Sequence, residues 1–254
     1  MQILLTVSYD GTNYAGWQRQ ENAITVQEKL EDALSSLLNR QVQIRGASRT
    51  DAGVHAQGQR ACFMAPDIRV PLDKLPMVLV SLLPPDISIS NAKIVQEEFN
   101  PRFDALHKTY AYSFYNAPSP NPLLTRYSTF IPQSLNIESM QTAAQFFVGR
   151  HDFAAFCATG SSAKTTVREI YACNVERHPN GLLTLTVTGN AFLYNMVRII
   201  AGTVLYTGIG KIACDEIPKI IESKDRKLAG KTMPPQGLVL LNVGYSVDKF
   251  QCVR

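Results

Sequence analysis

The sequence predicts an α+β protein built from two similar halves. Segments with the alternating apolar pattern of strands are separated by segments in which apolar residues recur every three or four positions, as in helices. Turn-forming residues such as the Asp10-Gly11 pair bound several of these segments. The chain has 254 residues, which is enough for two modest subdomains. We predict an N-terminal subdomain at residues 1–104 and a C-terminal subdomain at residues 105–254.

The first half has a predicted β-α-β-β-α-β order. Strand patterns occur at residues 3–9, 42–45, 55–63 and 87–95. A capping box from Thr25 to Glu28 opens the first helix. The apolar face of this helix comprises Val26, Leu30, Ala33, Leu34, Leu37 and Leu38. A second helix is predicted over residues 72–83, although its Pro76 is unfavourable inside a helix.

The second half repeats this general plan without a residue-level repeat. Strands are predicted at residues 108–115, 167–177, 182–188 and 238–247, and the middle two form a hairpin across residues 178–181. Two helices are marked by apolar residues at helical spacing, namely Ile137, Met140, Ala144, Phe147 and Val148 in one and Phe192, Met196, Val197, Ile200 and Val204 in the other. A short helix is predicted over residues 215–222, and loops are predicted over residues 117–122 and 149–164.

The composition excludes several classes of protein. The 25 basic side chains exceed the 21 acidic ones by a net charge of +4, which is compatible with an anionic partner such as RNA. No apolar run approaches the length of a membrane span, and the N-terminus lacks the basic region of a signal peptide. The sequence therefore predicts a cytoplasmic protein.

The cysteines and histidines do not form a metal-binding pattern. Five cysteines (Cys62, Cys157, Cys173, Cys214 and Cys252) are widely scattered, and no pair has the close spacing of a zinc site. The four histidines form no helical pair with ligand spacing. We expect reduced thiols and no metal.

The segment Ser48-Arg49-Thr50-Asp51-Ala52-Gly53-Val54-His55-Ala56 carries the strongest chemical signal. It places Asp51 on a predicted tight connection between strands, two residues from the guanidinium of Arg49. A neighbouring guanidinium lowers the pKa of a carboxylate and keeps it ionised, and an ionised carboxylate on a rigid turn can act as a nucleophile or a base. Structurally, an aspartate in such a turn more often binds its own backbone, so the residues alone leave both interpretations open.

This segment resembles the signature of the tRNA pseudouridine synthase A (TruA) family, apart from Ser48 where glycine is usual. Four further segments resemble the same family in the same order: residues 9–18, residues 101–105 with Tyr110, residues 149–153, and residues 189–193 with residues 196–198. The resemblance therefore extends over essentially the whole chain.

The resemblance implies a fold and a reaction. The fold is two α/β subdomains whose mainly antiparallel sheets join into one central sheet with a cleft, in a protein that forms a homodimer. The reaction converts uridines at about positions 38–40 of the tRNA anticodon arm to pseudouridine, with Asp51 as the nucleophile. Breaking the bond from C1′ to N1 and joining C1′ to C5 involves no redox change, so we expect no cofactor.

The resemblance also assigns roles to three substrate-binding residues. Tyr110 would stack on the extruded uracil and could relay a proton; its structural alternative is a core aromatic of a sheet. Arg198 would pair with Asp51; its alternative is a residue on the solvated side of a helix. Arg49 would enter the RNA stack, because extruding a base costs a few kcal/mol that a new contact must offset.

Other basic residues are candidates for phosphate contacts, namely Arg45, Arg60, Arg102, Lys108, Lys164 and Arg168. The chain departs from the usual family pattern at Asn100, at Lys108 and at Tyr194-Asn195, where the family commonly has histidine, arginine and a pair of histidines. These departures concern tRNA contacts and target choice. Two other functions stay open at this point: an RNA-binding protein without catalysis, and a hydrolase in which Asp10 assists Asp51.

Overall fold

The computed structural model describes residues 1–66 and 68–250. Within these residues the strands are β1 Gln2–Tyr9, β2 Arg45–Gly46, β3 His55–Met64, β4 Ile87–Val95, β5 His107–Asn116, β6 Thr129–Ile131, β7 Gly149–Asp152, β8 Val167–Arg177, β9 Leu182–Gly189 and β10 Leu238–Gly244. The helices are α1 Val26–Leu38, α2 Leu75–Leu82, α3 Ile137–Gln145, α4 Met196–Gly208 and α5 Ile217–Ser223, with short 3₁₀ turns between some elements. Nearly all the strand pairs are antiparallel, and the predicted α+β class is confirmed.

The chain forms two compact units. The first unit contains Met1–Leu106 and the chain from Leu240 onward, and the second contains His107–Val239. The C-terminal segment thus belongs with the first unit, whereas the sequence pattern placed it in a C-terminal subdomain at residues 105–254. Contacts distant in sequence are responsible: Leu106 donates its backbone N–H to the Gly244 carbonyl at 2.9 Å, and Tyr245 packs against the apolar cluster around Phe99.

The first unit contains the sheet order β4-β1-β3-β10, with the short β2 beside β3. The predicted strand at residues 42–45 is wrong over most of its length, since β2 covers Arg45–Gly46 alone. The backbone before β2 bonds to side chains of α1 instead of to a strand. Val42 donates to Ser35 Oγ at 3.0 Å, and Ile44 donates to Glu31 Oε1 at 3.1 Å.

The two helices of the first unit differ in how well the sequence predicts where they begin. Thr25 Oγ1 accepts the backbone N–H of Glu28 at 3.3 Å and caps α1, as predicted. The second helix begins three residues later than predicted, and Pro76 lies in its first turn. Proline is tolerated there because the N–H it lacks has no partner within the helix.

The second unit has the order β5-β9-β8-β7, and β6 adds a parallel pair beside β5. The predicted hairpin is confirmed: β8 and β9 are joined across Asn180 (φ +65°) and Gly181 (φ +78°). The predicted loop at residues 149–164 is wrong at its start, where the chain forms β7 and pairs with β8. The polar sequence Gly-Arg-His-Asp does not have the apolar pattern of a strand. The apolar residues Phe147, Val148 and Phe192 lie beyond the helices to which their spacing assigned them.

No helix in the described part of the chain is both long and apolar enough to cross a membrane. Four cysteines of the described residues are free thiols, as predicted: Cys62, Cys157, Cys173 and Cys214. Cys252 lies outside the described residues.

Candidate active site

Asp51 lies in the loop between β2 and β3, as the sequence predicted. The Val54 N–H donates to the Asp51 carbonyl at 3.1 Å, which closes a tight turn. Gly53 within this turn has φ +76°, a conformation that glycine adopts at little cost. The Asp51 residue is partly exposed.

The segment after β1 clamps this loop through hydrogen bonds. Trp17 donates its backbone N–H to the Thr50 carbonyl at 3.0 Å, and Gly53 donates to the Tyr14 carbonyl at 3.3 Å. The Tyr9 hydroxyl bonds to the Thr50 hydroxyl at 2.7 Å. Backbone groups on both sides of Asp51 are therefore tied to residues more than thirty positions earlier in the sequence.

Two glycines allow the close approach of these segments. A Cβ at Gly11 would lie 2.0 Å from the Val54 carbonyl oxygen, which no side chain can occupy. Gly16 has φ +98°, and a Cβ there would lie 2.6 Å from the Thr50 carbonyl oxygen. The glycines of the segment at residues 9–18, which the sequence showed only as a family resemblance, are a structural requirement of the Asp51 loop.

A buried glutamine holds the start of the loop. Gln59 on β3 is fully buried, and its amide donates to the Ser48 carbonyl at 2.6 Å. Its side-chain oxygen accepts the Ser48 N–H at 3.2 Å and the Arg60 N–H at 3.1 Å. Gln59 did not stand out in the sequence, because polar residues on a strand usually face solvent.

Asp10 has a local structural role. Its Oδ1 accepts the backbone N–H of Thr12 at 3.0 Å and also the Thr12 hydroxyl, which caps a short 3₁₀ turn. The next residue, Gly11, donates its N–H to His55 Nδ1 at 3.1 Å. These contacts favour a supporting role for Asp10 and weigh against it as the second carboxylate of the hydrolase alternative.

The predicted phosphate contacts differ in accessibility. Arg45, Arg102 and Lys164 are exposed, as is Arg49 beside the Asp51 turn. Lys108 is 8% exposed. The Arg60 guanidinium donates to the Thr6 hydroxyl, and burial lowers its pKa; Arg168 donates to the Thr165 and Val167 carbonyls. Exposure therefore favours Arg45, Arg102 and Lys164 over the other three candidates.

Tyr110 lies on β5 in the second unit, opposite Val187 of β9. It is 6% exposed. The Phe192 ring meets it edge-on, with the ring centroids 5.1 Å apart and the planes at 85°. This edge-to-face arrangement is one that aromatic pairs favour.

Arg198 is the third residue of α4 and does not project freely into solvent. Its Nε donates to the Met233 carbonyl at 2.6 Å, and one terminal nitrogen donates to Asn195 Oδ1 at 2.6 Å. Asn195 precedes the helix with φ +59°. Met233 could not be connected with Arg198 from the sequence pattern, because a carbonyl from a distant loop leaves no local signal.

Asp152, the acidic residue in the segment at residues 149–153, accepts hydrogen bonds from three other residues. Asp152 at the end of β7 accepts hydrogen bonds from Lys224 Nζ at 2.8 Å, from the Thr166 hydroxyl and from the Ala154 N–H at 3.2 Å. The bonds from Lys224 and Thr166 hold its pKa below the usual aspartate range. Asp152 thus anchors both ends of the connection between β7 and β8.

The described residues contain no group of three or more histidine, cysteine or acidic residues that could hold a metal ion. The four site residues predicted from the sequence, Asp51, Tyr110, Arg49 and Arg198, all lie in the described part of the chain.

Comparison with known proteins identifies the family. A family model described as tRNA pseudouridine synthase matches residues 5–104 and 143–246. The tRNA pseudouridine synthase A of Ruminiclostridium cellulolyticum is 50% identical over 244 residues, which cover 96% of this chain and 99% of the relative. The proteins of the same name from Caldicellulosiruptor bescii and Geotalea uraniireducens are each 46% identical, with the same coverage of both chains. The chain therefore belongs to the tRNA pseudouridine synthase A family, whose members are isomerases.

Proposed function

We propose that this enzyme converts uridines at about positions 38–40 of the tRNA anticodon arm to pseudouridine, with Asp51 as the nucleophile. The bond from C1′ to N1 breaks, the base turns, and a new bond forms from C1′ to C5. The proton on C5 is lost and N1 gains one, so the reaction is balanced without another reactant. The observation that carries the proposal is the clamped loop that presents the Asp51 carboxylate.

The rigidity of the loop supports a nucleophilic role for Asp51. A reacting group held in place before the substrate arrives avoids the entropy cost of ordering it in the transition state. Thr50 and Gly53, on either side of Asp51, bond to backbone groups of Trp17 and Tyr14. The segment after β1 can approach this loop only because residues 11 and 16 are glycines. A turn that only linked two strands would not need that close approach.

The other site residues have roles that follow from their chemistry. Tyr110 stacks on the extruded uracil, since an aromatic ring is a suitable platform for a base, and its hydroxyl transfers a proton near C5. Arg198 supports the charge of the Asp51 carboxylate. The exposed Arg49 occupies the space that the extruded base leaves in the RNA stack.

Release of tritium from tRNA labelled at uridine C5 tests the nucleophile. We expect Asp51→Asn to bind tRNA with near wild-type affinity and to lose turnover, because an amide is not nucleophilic. Asp73→Asn is a matched control, since Asp73 is an exposed loop aspartate in the same unit, and it should keep full activity. Substantial tritium release by Asp51→Asn would rule out the assignment.

The same assay separates the alternative functions. A binding protein without catalysis would retain all the tritium, and a hydrolase would release free base or phosphate. Anticodon stem-loops that carry a single uridine at position 38, 39 or 40 test the target assignment. Turnover on an isolated TΨC arm but not on these stem-loops would contradict it.

The family resemblance also supports a homodimer that acts in the cytoplasm. Light scattering of the purified chain at several concentrations tests the assembly, and a mass that stays at one chain would contradict it. Fractionation of the source cells tests the location, which is wrong if the protein is found outside the cytoplasmic fraction.

A further inference from the structure

In the loop between α5 and β10, residues 226–233 are tied together by hydrogen bonds from one of their own side chains. We call this segment the strap. The Arg226 guanidinium donates to the Gly230 carbonyl at 2.9 Å and to the Thr232 hydroxyl at 3.1 Å. A single side chain at the start of the strap therefore fixes the backbone near its end.

The strap lies directly against the backbone of α4. A Cβ at Gly202 would lie 1.9 Å from the Lys231 carbonyl oxygen, and one at Gly230 would lie 2.4 Å from the Gly202 carbonyl carbon. Thr203 is fully buried, and its hydroxyl accepts the Gly230 N–H at 2.8 Å while donating to the Ile199 carbonyl at 2.9 Å. Two glycines and one threonine thus dock the strap on the helix.

The docked strap presents Met233 to Arg198. Met233 is fully buried, its N–H donates to the Arg198 carbonyl at 3.2 Å, and its carbonyl accepts from Arg198 Nε at 2.6 Å. Arg198 precedes Gly202 by four residues, so both lie on the same face of α4. The direction of the guanidinium therefore depends on where the strap holds the Met233 carbonyl.

We propose that the strap is a positioning element for Arg198, and that Thr203 and Arg226 are positioning residues of the isomerase reaction. The proposal rests on the proposed role of Arg198 in catalysis. It assigns a functional purpose to contacts that would otherwise only stabilise the second unit. A misdirected guanidinium lowers the rate of the chemical step, and it leaves tRNA affinity unchanged.

The chain offers a matched control for the test. Thr207 is 3% exposed, lies one turn further along α4, and donates to the Val204 carbonyl at 2.8 Å, in the same manner as Thr203. Its side chain makes no hydrogen bond to the strap within the described residues. Thr203→Val and Thr207→Val therefore both remove a buried hydroxyl, and only Thr203→Val releases the strap.

We expect Thr203→Val to lower kcat about tenfold, since small displacements of positioned groups have effects of this size or larger. KM for tRNA should stay within about twofold of wild type, because the RNA contacts are intact. Thr207→Val and Thr203→Ser should keep kcat near wild type, since neither removes the acceptor for Gly230. Amide hydrogen exchange at Gly230 and Met233 should accelerate in Thr203→Val and not in Thr207→Val.

Equal kcat values for Thr203→Val and Thr207→Val, alongside faster exchange at Gly230, would overturn the proposal. If Thr203→Val does not fold, Arg226→Gln carries the same expectation, because it loosens the strap without altering α4, and Arg226→Lys should recover part of kcat. Arg198→Ala distinguishes a failure of the strap proposal from a failure of the proposed catalytic role of Arg198. Loss of turnover in Arg198→Ala with no effect in Thr203→Val refutes the strap alone, whereas full turnover in Arg198→Ala refutes the catalytic role on which it rests.

Discussion

Replacing Gln59 with leucine should disorder the Asp51 loop without touching the carboxylate. Gln59 makes three hydrogen bonds to backbone groups of Ser48 and Arg60, and all three are lost in Gln59→Leu. Each neutral hydrogen bond contributes about 1 kcal/mol to stability, so the free energy of unfolding should fall by about 3 kcal/mol. Leucine is similar in volume and apolar, which keeps the site filled.

The matched control is Gln57→Leu on the same strand. Gln57 is exposed, and surface substitutions of this kind change stability by less than about 0.5 kcal/mol. Urea unfolding of both variants measures the free energies. Tritium release under conditions in which both variants are folded then measures kcat.

We expect kcat of Gln59→Leu to fall by about tenfold or more, because the loop loses one of its anchors and Asp51 is no longer pre-positioned. KM for tRNA should change little. If the folded Gln59→Leu enzyme turns over at the wild-type rate while its stability falls as calculated, the order of the loop is not needed for catalysis. That result would remove the main support for the proposed nucleophile.

Further substitutions test other parts of the structure. Gly16→Ala should lose more stability than Gly160→Ala by about 2 kcal/mol in urea unfolding, since both glycines have positive φ but a Cβ at Gly160 would contact nothing; equal losses would show that the clamp is not tight. Because the pKa of Asp152 is lowered on folding, its ionised form stabilises the fold above the aspartate pKa of about 4, and this stability is lost as the pH falls through the folded-state pKa. Asp152→Asn should therefore be less stable than wild type at pH 7, and this difference should shrink as the pH falls below about 4; a difference that does not vary with pH would contradict the pKa argument. Tyr110→Phe should keep KM and lower kcat by about a hundredfold or more if the hydroxyl transfers a proton, whereas Tyr110→Leu should also raise KM; wild-type kcat in Tyr110→Phe would limit the residue to stacking.

The long elements of this fold were predictable because their signals are local. The β8–β9 hairpin has long alternating strands and an Asn-Gly turn, and α1 has a capping box before an apolar face. The errors occur where distant partners decide the structure. The apolar residues Val42 and Ile44 have the pattern of a strand, but their backbone groups bond to side chains of α1.

The candidate residues of the site were assigned on a different kind of signal. Asp51, Tyr110 and Arg198 were assigned because the chain resembles a family in several ordered segments, and the comparison with known proteins confirms that family. Physical reasoning from the residues left their roles open, since an aspartate in a turn and a tyrosine in a strand are ordinary structural features. Gln59 and Met233 could not be found in this way, because they act through contacts that only the folded chain creates.

The two units position the proposed functional side chains, Asp51 and Arg198, in a similar way. In the first unit, the segment after β1 approaches the Asp51 loop closely through Gly11 and Gly16. In the second unit, the strap approaches α4 through Gly202 and Gly230 and presents a carbonyl to Arg198. In both cases the close approach is between backbone atoms, and a Cβ would block it. Substitution of these glycines should therefore reduce turnover by displacing the Asp51 loop or the strap.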